Sequence, residues 1–73
     1  MPAPFTARAT ADVRAHAHPV PDASSPLEAA LLFVERWMPE SVEGEVSITV
    51  TDTETGYQQC FRIDLDDGSA APC

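Results

Sequence analysis

The stretch from Glu45 to Leu65, EVSITVTDTETGYQQCFRIDL, constrains this chain more than any other. Two runs that alternate apolar and polar residues flank a turn-forming segment, and a period of two marks strands with one face buried. The register follows from comparing two loop lengths. A four-residue loop, Thr53 to Gly56 with Gly56 at positive φ, sets Asp52 against Tyr57, Val50 against Gln59, Ile48 against Phe61 and Val46 against Ile63. A three-residue loop sets Ile48 against Cys60 and Val46 against Arg62. That slip turns one strand over and drives an arginine into the core, so the longer loop is favoured. The expected hairpin strands are 45–52 and 57–65. Their inner face carries Val46, Ile48, Val50, Tyr57, Phe61 and Ile63, and their outer face Ser47, Thr49, Thr51, Gln58, Cys60, Arg62 and Asp64.

An apolar ribbon face requires a cover, and one helix is signalled clearly. Ser25 suits the N-cap, Pro26 the first helical position, and Glu28 completes a capping box. Leu27, Leu31, Val34 and Met38, with Ala30 between them, form a stripe at helical spacing. Pro39 ends the element, giving a helix over 26–38. Phe33 and Trp37 fall on the flank of that stripe. They are covered either from within the chain, by Phe5 or Val13, or by a partner.

Residues 5–17 alternate as well, with Phe5, Val13 and five alanines on one side. The period favours a strand, while alanine's helix preference leaves a helix or an unstructured tail as alternatives. The segment HPVPDASS, from His18 to Ser25, reads as a linker. Residues 1–4 are expected to fray, and residues 66–73 to form a flexible acidic tail. The expected fold is therefore α+β. It is a single small β-α-β-β domain over 5–65, with a three-stranded antiparallel sheet of order 1-3-2 and the helix on one face. In that order the 45–52 strand is an open edge, available to a second copy.

Seventy-three residues build a modest core and no deep cleft. Twelve acids against four arginines, with no lysine, give a net charge of −8. Such a surface repels nucleic acid and anionic membranes and favours basic protein partners. With neither an apolar span nor a secretory h-region, the expectation is a cytoplasmic protein of bacterial type. In a reducing compartment Cys60 and Cys73 would be free thiols, the reading preferred over a Cys60–Cys73 disulfide that would tie the tail back to the hairpin.

Nucleophile–base sets, phosphate loops and the H-E-x-x-H motif are all missing from the sequence, and no cofactor is implied. His16 and His18 form an H-x-H pair that points one way on a strand, a weak metal candidate that Cys60 or Asp12 would have to complete. Arg62 lies two residues from Cys60 and would lower its thiol pKa. Asp64-Leu65-Asp66-Asp67-Gly68 resembles a calcium loop in its acid spacing. Its glycine comes one position early, and no terminal glutamate follows.

The reading is a non-catalytic protein-interaction module, self-associating or with a protein partner. Its expected contact residues are Phe33, Trp37, Thr49, Thr51, Gln58 and Arg62. The alternative is a metal- or redox-responsive protein using His16, His18 and Cys60.

Overall fold

The computed structural model describes residues 4–10, 17–37 and 44–73. Among them the chain forms strands β1 (Phe5–Ala9) and β2 (His18–Pro19), helix α1 (Pro26–Trp37), and strands β3 (Glu45–Asp52), β4 (Gln58–Asp64) and β5 (Ala70–Pro72). All pairings are antiparallel, in one sheet of order β2-β1-β3-β4-β5.

The sheet thus corrects the expected three-stranded 1-3-2 arrangement: it has five strands, and the strand at 45–52 lies at its centre rather than at an edge. The cause is β2. The chain leaves β1, returns as β2 beside it, and enters the helix from the end where β1 began; Val20 donates its N–H to the Phe5 carbonyl at 2.9 Å. The helix then carries the chain back along the sheet, so β3 runs antiparallel to β1, with Ala7 opposite Val50. Two prolines had marked this segment as a linker. Pro19 is accommodated in β2 because β2 is an edge strand, where its missing N–H costs no ladder bond. The neighbouring Val20, which the linker reading left outside the core, is fully buried.

The β3–β4 register is the one that the four-residue loop requires, with Val46, Ile48 and Val50 opposite Ile63, Phe61 and Gln59. Gly56 has φ +77°, and its N–H bonds to the Asp52 carbonyl at 2.8 Å. Tyr57, expected inside, stands beside this turn and is 64% exposed.

The helix begins as its caps dictate. Ser25 Oγ accepts the N–H of Glu28, and the Glu28 carboxylate reaches back to the N–H and hydroxyl of Ser24, one residue before the expected partner. The face it buries is a correction. Ala29, Ala30 and Phe33 are buried, whereas Leu27 and Leu31 of the expected stripe are exposed and Val34 is only partly buried. At about 100° per residue, the helix is turned by roughly a third of a revolution from the stripe's orientation.

The reason lies in the sheet beneath. The helix packs chiefly on β3 and β1, and the fully buried Ala7 of β1 presents almost no side chain to it. Among the described residues four of the nine buried apolar residues are alanines, side chains small enough to let a helix settle close to a sheet. Phe33 fills the remaining space beside Val20, Ile48 and Val50 in the same core cluster. Met38, the last member of the expected stripe, lies outside the described residues, as do Val13 and His16.

Residues 66–73 are not a plain tail. Asp64-Leu65-Asp66-Asp67-Gly68-Ser69 folds as a second tight turn, and Ala70–Pro72 pairs with β4. Cys73 is held beyond it by its N–H on the Cys60 carbonyl at 3.1 Å.

Candidate interaction surface

Alternation sends every second side chain of the sheet away from the helix. The face so exposed carries Thr6, Arg8 and Thr10 from β1 and its end, Ser47, Thr49 and Thr51 from β3, and Gln58, Cys60 and Arg62 from β4. It is a hydroxyl-rich surface on which the guanidinium groups of Arg8 and Arg62 are matched, toward the β5 edge, by the carboxylates of Glu45 and Asp64.

Its centre is more closed than an outer face usually is. Thr49 is 7% exposed, because Thr10 and Cys60 lie against it. The Thr10 and Thr49 hydroxyls are 2.8 Å apart, and Thr10 Oγ1 is 3.8 Å from Cys60 Sγ. Cys60 is joined to Cys73, where two thiols had been expected. The physical reason is the second turn, which sets the two residues directly opposite on neighbouring antiparallel strands with Cα atoms 5.4 Å apart. This spacing could not be derived while residues 66–73 were read as an unstructured tail.

Toward the β5 edge the face dips into an open groove of about 330 Å³, lined by Glu45, Arg62, Asp64, Ser69, Ala70 and Ala71. Arg62 crosses it to Glu45, with Nε at 2.9 Å and a terminal nitrogen at 2.8 Å from Oε1. The pair is half exposed and adds little to stability. A groove so open and polar lacks the apolar walls that enclose a small ligand. It offers a charged, shaped patch to a larger partner.

The other expected residues are placed elsewhere. Phe33 is 5% exposed and belongs to the core, so it offers no surface to a partner. Trp37 is 39% exposed and stacks on His18, with ring centroids 4.9 Å apart and planes 13° from parallel. His18 thus covers this flank from within the chain; Val13, one of the residues expected there, lies outside the described residues. His18 and Cys60 are not brought together: His18 packs on aromatic rings of the helix at the β2 edge, while Cys60 lies in β4 on the opposite face. Among the described residues no group of three or more potential ligands gathers around a metal position.

Near the helix, Arg36 forms a bidentate pair with Asp22, one branch at 2.9 Å. This pairing holds the Asp22 carboxyl below its ordinary range and raises Arg36. Asp67 is lowered too, by hydrogen bonds from the backbone and side chain of Ser69. Among the described residues no helix is long and apolar enough to cross a membrane.

The chain matches no curated protein and no solved structure. A family model covering residues 3–73 does match, and the protein belongs to the Family of unknown function (DUF5961).

Proposed function

We propose that this protein is a non-catalytic protein-interaction module that engages a basic partner through the open face of its sheet. The observation that carries the reading is the coverage of the sheet. Among the described residues one helix closes one face, while the other stays polar and is edged by Gln58, Arg62 and the Glu45–Asp64 groove. The net charge of −8 supports a basic partner, since charge of one sign accelerates encounter with its opposite. Self-association through the same face is the alternative, and it has to overcome the repulsion between two copies of charge −8.

The test combines capture from the native cell extract with a measurement of solution mass. The wild-type chain is compared with Glu45→Arg/Asp64→Arg on the open face and with Leu27→Glu/Leu31→Glu on the helix. The reading expects a captured protein that is lost with the open-face variant and at high salt but kept with the helix variant. Equal capture by all three chains, or a monomer that captures nothing, overturns it.

A further inference from the structure

The β4–β5 hairpin is built to be held by a bond rather than by a core. Every residue of β5 is exposed, and so is Cys73. Pro72 contributes no N–H to the ladder. What fixes this strand to the sheet is a short row of backbone hydrogen bonds, two of which are Asp64 N–H to Ser69 O at 2.8 Å and Cys73 N–H to Cys60 O at 3.1 Å, together with the Cys60–Cys73 disulfide. At the opposite edge β2 is shorter still, but it is anchored by the buried Val20 and by the His18 stack on Trp37. No such anchor exists on β5.

We propose that Cys60–Cys73 is a thiol–disulfide exchange site that latches β5, and that reduction by a dithiol releases this strand while the rest of the sheet stays folded. The inference rests on the exposure and pairing of β5, independently of the open-face reading. A thiolate of the reductant attacks the Sγ of Cys73, the more exposed of the two residues. The S–S bond breaks, and its electron pair leaves on Cys60 Sγ, which takes a proton. The second thiol of the reductant then displaces Cys73 as a thiol and closes the reductant's own disulfide. Thr10 Oγ1, 3.8 Å from Cys60 Sγ, is placed to donate a hydrogen bond to the departing sulfur.

Release would open the outer backbone groups of β4, a strand edge able to pair with other backbone. The register makes this testable residue by residue. The bonds at Asp64–Ser69 and Asp52–Tyr57, with the alternation of an antiparallel ladder, point the N–H groups of Arg62 and Asp64 at β5 and those of Phe61 and Ile63 at β3.

The experiment is amide hydrogen exchange on the full chain, oxidised and then reduced with dithiothreitol. Reduction is expected to accelerate Arg62 and Asp64 by about tenfold or more while leaving Phe61 and Ile63 unchanged. Reoxidation with oxidised glutathione should restore the protection, and Cys73→Ser should reproduce the reduced pattern without reductant. Equal acceleration at all four amides means that the disulfide staples the whole domain and overturns the latch. No acceleration at any of them means that β5 holds without its bond, which overturns it too.

Discussion

The two hairpins of this protein share one turn and differ in what holds them. In the first, Asp52 Oδ1 accepts the N–H of Glu54 at 2.9 Å, Gly56 at φ +77° bonds to the Asp52 carbonyl at 2.8 Å, and Thr55 Oγ1 accepts the N–H of Tyr57 at 3.1 Å. In the second, Asp64 Oδ1 accepts the N–H of Asp66 at 2.8 Å, Gly68 at φ +77° bonds to the Asp64 carbonyl at 2.8 Å, and Asp67 Oδ1 accepts the N–H of Ser69 at 2.7 Å. The strands that follow diverge. The first hairpin places Ile48, Val50 and Ile63 in the core, whereas β5 of the second buries nothing and is tied by a disulfide. A turn of this kind sets register. It does not supply stability, which here comes from apolar burial in one hairpin and from a covalent link in the other.

The largest expected effect tests the side that rests on burial. Ile48 is fully buried at the centre of the sheet, and Ile48→Ala should cost about 2–5 kcal/mol. A chain of this length holds only on the order of 4–11 kcal/mol in total, so the variant should lose a large fraction of its stability. Ala71→Gly, on the exposed β5, should cost less than about 1 kcal/mol. Denaturant midpoints measure both. If the two substitutions shift the midpoint equally, the two hairpins are not held differently.

Next in size is one substitution made in both turns. A Cβ at Gly56 or Gly68 meets no atom within 4 Å, so in each case alanine pays only for positive φ, about 1–2 kcal/mol. Gly56→Ala must bear that cost in full, because its strands are locked into the core. Gly68→Ala can shed part of it by letting β5 fray, so its midpoint should fall less. A larger loss for Gly68→Ala would place β5 among the strands that fold with the core.

The contrast also explains which parts of the fold can be read from the letters. The β3–β4 register was legible because a slip would bury Arg62, and the start of the helix because Ser25 and Pro26 punctuate it. The second turn carries the same signal, an aspartate four residues before a glycine, but its strand is Ala-Ala-Pro and lacks any apolar alternation to point to a sheet. The Cys60–Cys73 disulfide is visible in the sequence only as the alternative to two thiols, because nothing there shows that residue 73 is carried back beside residue 60. Helix rotation was illegible on different grounds. The stripe of Leu27, Leu31 and Val34 is the more hydrophobic face, but close approach to Ala7 selects Ala29 and Ala30, and a tertiary fit of this kind overrides the pattern on the helix alone. Of the expected contact residues, Gln58 and Arg62 lie on the open surface as the alternation implies. Phe33 and Thr49 do not, because each gained cover from a segment that the sequence placed elsewhere: the Val20 and His18 connection over Phe33, and Thr10 over Thr49.

The smallest expected effect separates the turns by acid. Asp67 and Thr55 occupy the same position and each accepts the N–H two residues on, but only Asp67 can be protonated. Its folded pKa lies below the ordinary carboxylate value because the charged form accepts the Ser69 hydrogen bonds. A depressed folded pKa gives stability that is fully present above the unfolded value, near 4, and is lost as pH falls through the lower folded value. Acidification below about pH 4 should therefore weaken the Ser69 bond, while the Tyr57 bond to the Thr55 hydroxyl persists. Following both amide resonances through an acid titration checks this. The Ser69 resonance should move with a midpoint below that of a free aspartate, and Asp67→Thr should abolish that movement by making the second turn chemically like the first. A Tyr57 resonance that moves with the same midpoint and amplitude would show that acid acts on both turns alike. The hairpin held by a bond would then have no acid sensitivity of its own.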